Sequence, residues 1–198
     1  AKAMNKQPHP TTWQSHHFRA MGSQIVLWLD TGNIAQAAAV FAQAENLFAS
    51  NERTLSRFLA DSELMQLNSR SGQWVTVSDL LWREVTLALE MARQTDGRFD
   101  PTLLNALAQA GYDRDFAEIA GVGNGRWLES EALYGRWAEI ELDEMRQAVW
   151  LPAGVALDLG GIAKGDTAQQ AIKLLQPFGS CLVDAGGDLV AGRAPTGY

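Results

Sequence analysis

Apolar positions along the chain recur with two different periods. Gln24–Asp30 (QIVLWLD) is a short apolar run that stops at the turn residues Thr31-Gly32-Asn33, which predicts a buried strand. Asn33 is a good helix cap, and Ile34, Ala37, Phe41, Ala44 and Phe48 follow at helical spacing, predicting a helix to about Ser50. Gln73–Val77 reads as a second strand. Ser78 then opens a helix with Leu81, Val85, Ala88 and Ala92 on one face, closing near Gly97. Asp100-Pro101 pairs a capping acceptor with a proline suited to a first helical position, predicting a helix to about Ala110. Periodicity is lost over residues 111–135, read as a long surface excursion. Arg136–Leu142 and Met145–Leu151 pattern as paired strands around Asp143-Glu144, and Pro152-Ala153-Gly154 turns the chain into a further strand, Val155–Leu159. Ile162–Pro177 has helical spacing, and Ser180–Ala185 and Asp188–Ala191 are strands on either side of Gly186-Gly187. Helices mixed with antiparallel hairpins predict an α+β, or mixed α/β, fold.

Composition narrows the function classes. The 198 residues are 46% hydrophobic and 20% charged, with a formal net charge of −7. A chain of this size buries roughly 70% of its surface, which excludes a disordered tail or a disulfide-stapled mini-protein. The acidic balance, without a Lys/Arg cluster, argues against nucleic acid as a partner. No apolar run approaches the roughly 18 residues of a transmembrane helix. Residues 1–17 are polar and hold all three histidines; they read as a solvated lead-in to a domain spanning 18–198. Adjacent His16 and His17 lack a metal-ligand spacing. The lead-in has no signal-peptide core, so a native start at Met4 implies a cytoplasmic protein, and a removed leader would imply a periplasmic or membrane-anchored one. Cys181 is the single cysteine and sits in an apolar strand, a buried inert thiol by this pattern. The seven tryptophans are scattered, as core and rim packing would leave them.

Chemistry concentrates in Asp158-Leu-Gly-Gly-Ile-Ala-Lys-Gly165. A strand end delivers a carboxylate, glycines let main-chain N–H groups approach a ligand, and Lys164 adds a full positive charge beside a helix N-terminus. The pattern suits a phosphate, although an ordinary strand–helix turn also uses glycine. The spacing is not that of a Walker loop. Asp184-Ala-Gly-Gly-Asp188 is either a ligand-admitting strand end or a hairpin turn. Arg98-Phe-Asp-Pro-Thr102 offers ligand contacts or merely a capped helix start, and Gly121-Val-Gly-Asn-Gly125 fails as a dinucleotide fingerprint because no strand precedes it.

Taken in order, Ala20-Met-Gly-Ser23, Leu55-Ser-Arg-Phe58 with Asp61-Ser-Glu-Leu64 and Leu67-Asn68, Gly97–Thr102, Asp158–Gly165 and Asp184–Leu189 resemble the ApbE family of FAD:protein FMN transferases. The resemblance implies an ApbE-like fold of mixed sheets flanked by helices. It also implies a Mg²⁺-dependent enzyme that takes FAD as substrate, cleaves its pyrophosphate and passes FMN to a threonine of a target flavoprotein, releasing AMP. Some members instead hydrolyse FAD to FMN and AMP. By motif position, Met21, Phe58, Arg98, Phe99, Asp100, Asp158 and Lys164 would line the FAD site, Phe58 as the stacking aromatic. The backbone carbonyl of Gly161 would be a metal ligand, in keeping with a hard, oxygen-seeking cation.

Two departures from the family pattern stand out. Asp166 and Gln169 occupy positions where the family has an aromatic and an aspartate. Family members also continue beyond Tyr198, through a segment whose aspartate and threonine complete the metal site. The resemblance therefore implies a shortened chain, trimmed rather than whole or split. A flavin carrier without turnover is the rival reading from a different class.

Overall fold

The computed structural model describes residues 12–111 and 135–193. All of the excursion but its end residues Gly111 and Gly135 lies outside them, with the glycine cluster at 121–125 and the start of the polar lead-in. The chain divides into two compact units, residues 1–48 with 165–198, and residues 49–164. None of the described helices is long and apolar enough to cross a membrane.

The first unit is built on an antiparallel sheet of order β1-β2-β6-β7, formed by β1 (Trp13–Ala20), β2 (Ser23–Asp30), β6 (Cys181–Ala185) and β7 (Asp188–Ala191). Alternation in β2 puts Ile25, Leu27 and Leu29 wholly inside, opposite Ala185, Val183 and Cys181 of β6. Ala37, Val40, Phe41, Ala44 and Phe48 of helix α1 (Ile34–Leu55) join the same core. So do Ala168, Ala171, Ile172 and Leu175 of helix α5 (Gly160–Leu175). Asn33 caps α1 as expected, its Oδ1 accepting from Gln36 N–H at 3.1 Å. The β1–β2 register pairs Ala20 with Ser23, leaving Met21-Gly22 as a two-residue loop with φ of 51° and 69°. Gly186-Gly187 form the equivalent β6–β7 loop, φ 63° and 97°.

The polar lead-in is corrected by this sheet. Trp13–His17 belong to β1, where Gln14, His16 and Phe18 alternate inward. His16 stacks on Phe41 at 5.8 Å, and its Nε2 lies 2.6 Å from Glu45 Oε2. A strand whose inward side chains are partly polar carries little hydrophobic alternation, so its pairing with β2 places it where pattern could not.

The second unit holds a small antiparallel sheet of order β3-β5-β4, from β3 (Trp74–Thr76), β4 (Glu141–Asp143) and β5 (Ala148–Trp150). It also holds helices α2 (Glu63–Asn68), α3 (Asp79–Gln94) and α4 (Leu104–Gln109). Ser78 caps α3 through Leu81 N–H at 3.3 Å, while its own N–H and hydroxyl both donate to Glu63 at 2.6 Å. Leu81, Val85, Ala88 and Ala92 are buried as their spacing requires. The strand expected from Arg136 starts only at Glu141, because Trp137–Glu139 form a turn of 3₁₀ helix first.

Candidate functional site

In the second unit three chain segments meet at Asp158. The first carries Arg57 and Phe58. Ser62, wholly buried, donates its hydroxyl to Ser56 C=O at 2.6 Å and accepts from Met65 N–H, capping α2. Ser56 Oγ in turn accepts from Phe58 N–H at 3.1 Å. The spacing Leu55-Ser-Arg-Phe58 and Asp61-Ser-Glu-Leu64 is thus a pair of mutually bonded turns. They present Phe58 with 47% of its surface exposed. The Arg57 guanidinium lies 4.5 Å from the centroid of the Phe58 ring and 3.7 Å from Asp158 Oδ2.

The second segment follows α3. Asp96 and Gly97 leave the helix with φ of 52° and 74°, and Thr95 Oγ1 accepts from Phe99 N–H at 3.0 Å. Asp100 does not cap a helix, contrary to the sequence expectation. Its Oδ1 accepts from Thr102 N–H at 2.8 Å and from the Thr102 hydroxyl at 2.6 Å, and its Oδ2 from Gly135 N–H at 2.5 Å. With the carboxylate engaged in that turn, α4 begins later, after Leu103, without a side-chain cap. Arg98 is exposed, Phe99 is half-buried and Asp100 is buried.

The third segment, Val155–Leu159, is largely buried but belongs to no sheet, which corrects the predicted strand. Its backbone is satisfied by a side chain instead. Asn68 Oδ1 accepts from Leu157 N–H at 2.8 Å, and Asn68 Nδ2 donates to Leu157 C=O at 2.9 Å. One amide therefore does what a neighbouring strand would do. The next residue, Asp158, donates its N–H to Pro101 C=O at 2.8 Å, tying the third segment to the second. Asp158 Oδ1 accepts from Gly160 N–H at 2.8 Å at the start of α5.

Helix α5 starts at Gly160, so both glycines lie inside its first turn rather than ahead of it. Their requirement is steric. A Cβ on Gly161 would stand 3.0 Å from Phe99 Cε2, and one on Gly160 would stand 3.0 Å from Asp158 Oδ1. Phe99 packs on the helix start because no side chain is there. Gly161→Ala gains helix propensity of about 0.5–1 kcal/mol but must displace the ring by a few tenths of an ångström. We expect a melting shift within about 4 °C either way, together with weaker ligand binding. A drop beyond about 8 °C in a thermal melt would mean that the ring has nowhere to go. Lys164 follows Gly160 and Gly161 by one helical turn, on the same helix face, and is half-buried.

Phe58, Phe99, Asp100, Asp158, Gly161 and Lys164 are thus all linked, through contacts, bonded turns or one helix face, within residues 49–164. Arg98 shares the loop, with its side chain exposed. Met21 belongs to the first unit, in the β1–β2 loop. So does Asp184, whose Oδ1 accepts from Gly187 N–H at 2.8 Å, which makes Asp184–Asp188 a self-bonded hairpin turn. Asp166, one of the two departures, accepts from Gln170 Nε2 at 2.6 Å along the helix. Burial pushes the Cys181 thiol up, consistent with an inert side chain. The residue that motif position did not single out is Arg57. Its signal was present as a charge placed next to the stacking aromatic, but nothing in the sequence pointed it at Asp158.

Among the described residues no group of three or more His, Cys, Asp or Glu side chains is arranged to hold a metal ion. One carbonyl, that of Gly161, is not a magnesium site, and both Asp100 oxygens are occupied within the protein. The described residues therefore do not by themselves fit the cation.

Residues 21–197 match the model of the ApbE family. The chain is similar to the FAD:protein FMN transferase of Treponema pallidum (strain Nichols), with 32% identity over 170 residues, 78% of this chain and 45% of that protein. Among solved structures it resembles the ApbE protein of Thermotoga maritima, with a TM-score of 0.77 and 21% identity over 91% of this chain and 59% of that one. It also resembles the apo form of the Pseudomonas stutzeri flavinyl transferase ApbE, with a TM-score of 0.78 and 23% identity over 94% and 60%. The α+β fold is shared with both. The chain spans less than half the length of the curated relative and about three fifths of the two solved chains.

Proposed function

The chain belongs to the ApbE family, and we propose that it serves as an FAD:protein FMN transferase, moving FMN from FAD to a threonine of a target flavoprotein. The observation that carries this reading is the junction at Asp158, where an exposed aromatic, a glycine helix start and a lysine one turn along it are tied together. Phe58 offers its ring to the flavin. The Arg98–Asp100 loop and Asp158 offer donors and acceptors to the groups around it. Lys164 places a positive charge one turn from a helix N-terminus, an arrangement suited to a pyrophosphate.

In the proposed transfer the threonine Oγ bonds to the flavin-side phosphorus while the bond from that phosphorus to the bridging oxygen breaks. AMP leaves with the electron pair, and the hydroxyl proton passes to water. Such chemistry depends mainly on positioning and on charge held near the phosphoryl oxygens. The resemblance implies magnesium with Gly161 C=O as one ligand, but the described residues do not by themselves fit the cation, and no step of this reading is routed through it.

The test is to incubate the chain with FAD, Mg²⁺ and a peptide carrying the acceptor threonine, then measure AMP and peptide mass. A mass gain equal to FMN supports the transferase. AMP without labelling makes the protein an FAD pyrophosphatase, with water in place of the threonine. Tight FAD binding without AMP makes it a carrier, and no FAD binding removes all three readings.

A further inference from the structure

The segment Arg57-Phe58 inverts what water alone would select. The side chain of the charged residue is 16% exposed, whereas its apolar neighbour is 47% exposed. Arginine is seldom covered unless paired, so the covered guanidinium is the informative half of this inversion. The guanidinium lies 4.5 Å from the centroid of the Phe58 ring, so one face of that ring is already occupied. Its NH1 stands 3.7 Å from Asp158 Oδ2, longer than the roughly 2.8 Å of a charge-assisted hydrogen bond. The pair is thus close enough to be held by charge while Oδ2 keeps its capacity to accept from a third group. The backbone beneath is fixed by the Ser62–Ser56–Phe58 bonds, so the freedom left in the segment is that of the two side chains.

We propose that Arg57 is a positioning residue for the flavin end of the site. It lids one face of Phe58 so that the isoalloxazine stacks only on the other, and it holds Asp158 Oδ2 in register with that ring. The proposal rests on the reading that this site takes FAD. A guanidinium supplies both a planar lid and a charge; an ammonium supplies only the charge.

The experiment titrates the full chain and its Arg57→Met and Arg57→Lys variants with riboflavin, FAD and ADP. Binding is followed by flavin fluorescence, by the visible circular dichroism of the bound flavin and, for ADP, by competition against FAD. Arg57→Met is expected to weaken riboflavin and FAD by about tenfold, to change the dichroism, and to leave ADP within about twofold. Arg57→Lys keeps the charge opposite Asp158 and is expected to lose about threefold with the same change in dichroism. If Arg57→Met fails to fold, the lysine variant decides the matter. Unchanged riboflavin affinity and dichroism overturn the proposal. Equal losses for riboflavin and ADP also overturn it, because they mean general damage. If the unaltered chain binds neither riboflavin nor FAD, the flavin reading falls and this proposal falls with it.

Discussion

Asn68→Ala is expected to destabilise the chain by about 3 kcal/mol, because it leaves a buried backbone donor and acceptor unpartnered at once. The amide bonds both groups of Leu157, which is itself wholly buried, and the two bonds join positions 89 residues apart. In a chain of this length that corresponds to a fall in melting temperature of about 6–12 °C. Asn68→Asp should fare no better at neutral pH, since a carboxylate oxygen would then face Leu157 C=O. Its penalty should ease as pH falls and the protonated carboxyl regains a donor. Asn105→Ala is the control. Asn105 also donates to a backbone carbonyl, that of Gly154 at 2.9 Å, but from a half-buried side chain and through an exposed bond, and its loss should cost less than about 0.5 kcal/mol. Urea unfolding of the three variants beside the parent measures all of this. A loss under about 1 kcal/mol for Asn68→Ala would mean that water or a local shift satisfies Leu157.

Lys164→Ala should separate the two halves of the ligand. If Lys164 meets the pyrophosphate, its removal weakens FAD by about 10- to 100-fold, the range for a charge-assisted contact of about 1.5–3 kcal/mol. Riboflavin has no phosphate and should lose less than about threefold. The lysine lies in the first turns of α5, where the helix N-terminus adds to its field, so the effect should shrink as salt rises. Parallel titrations with FAD and riboflavin at two salt concentrations give the answer. Equal losses for the two ligands would remove Lys164 from the pyrophosphate.

A linear pattern holds what is local to it and little of what is tertiary. Helix α3 was legible because its cap and its apolar face are local, and the Gly186-Gly187 turn because only glycine adopts both of its φ values cheaply. Val155–Leu159 looked like a strand for a sound reason, being apolar and largely buried, but Leu157 within it pairs with a side chain contributed from α2. Nothing local distinguishes that case from pairing with a strand. Asp100-Pro101 carried a helix-start signal that Thr102 and Gly135 outcompeted for the same carboxylate. Of the site, the glycine pair, Lys164 and Asp158 were visible as chemistry, while Phe58 and Phe99 were assigned only through resemblance. The link from Arg57 to Asp158 is tertiary and could not be read from spacing.

The β1–β2 loop carries a different kind of information. Met21 holds φ at 51°, a conformation that an asparagine or glycine would adopt more cheaply and that costs a methionine on the order of 1 kcal/mol. Its side chain is half-buried against the core cluster of the first unit. The hairpin is therefore a point of local frustration, where turn chemistry and side-chain identity favour different residues. The methionine that stands there sets a strained backbone against an apolar contact, so the loop's conformation is tied to the packing of the core beneath it.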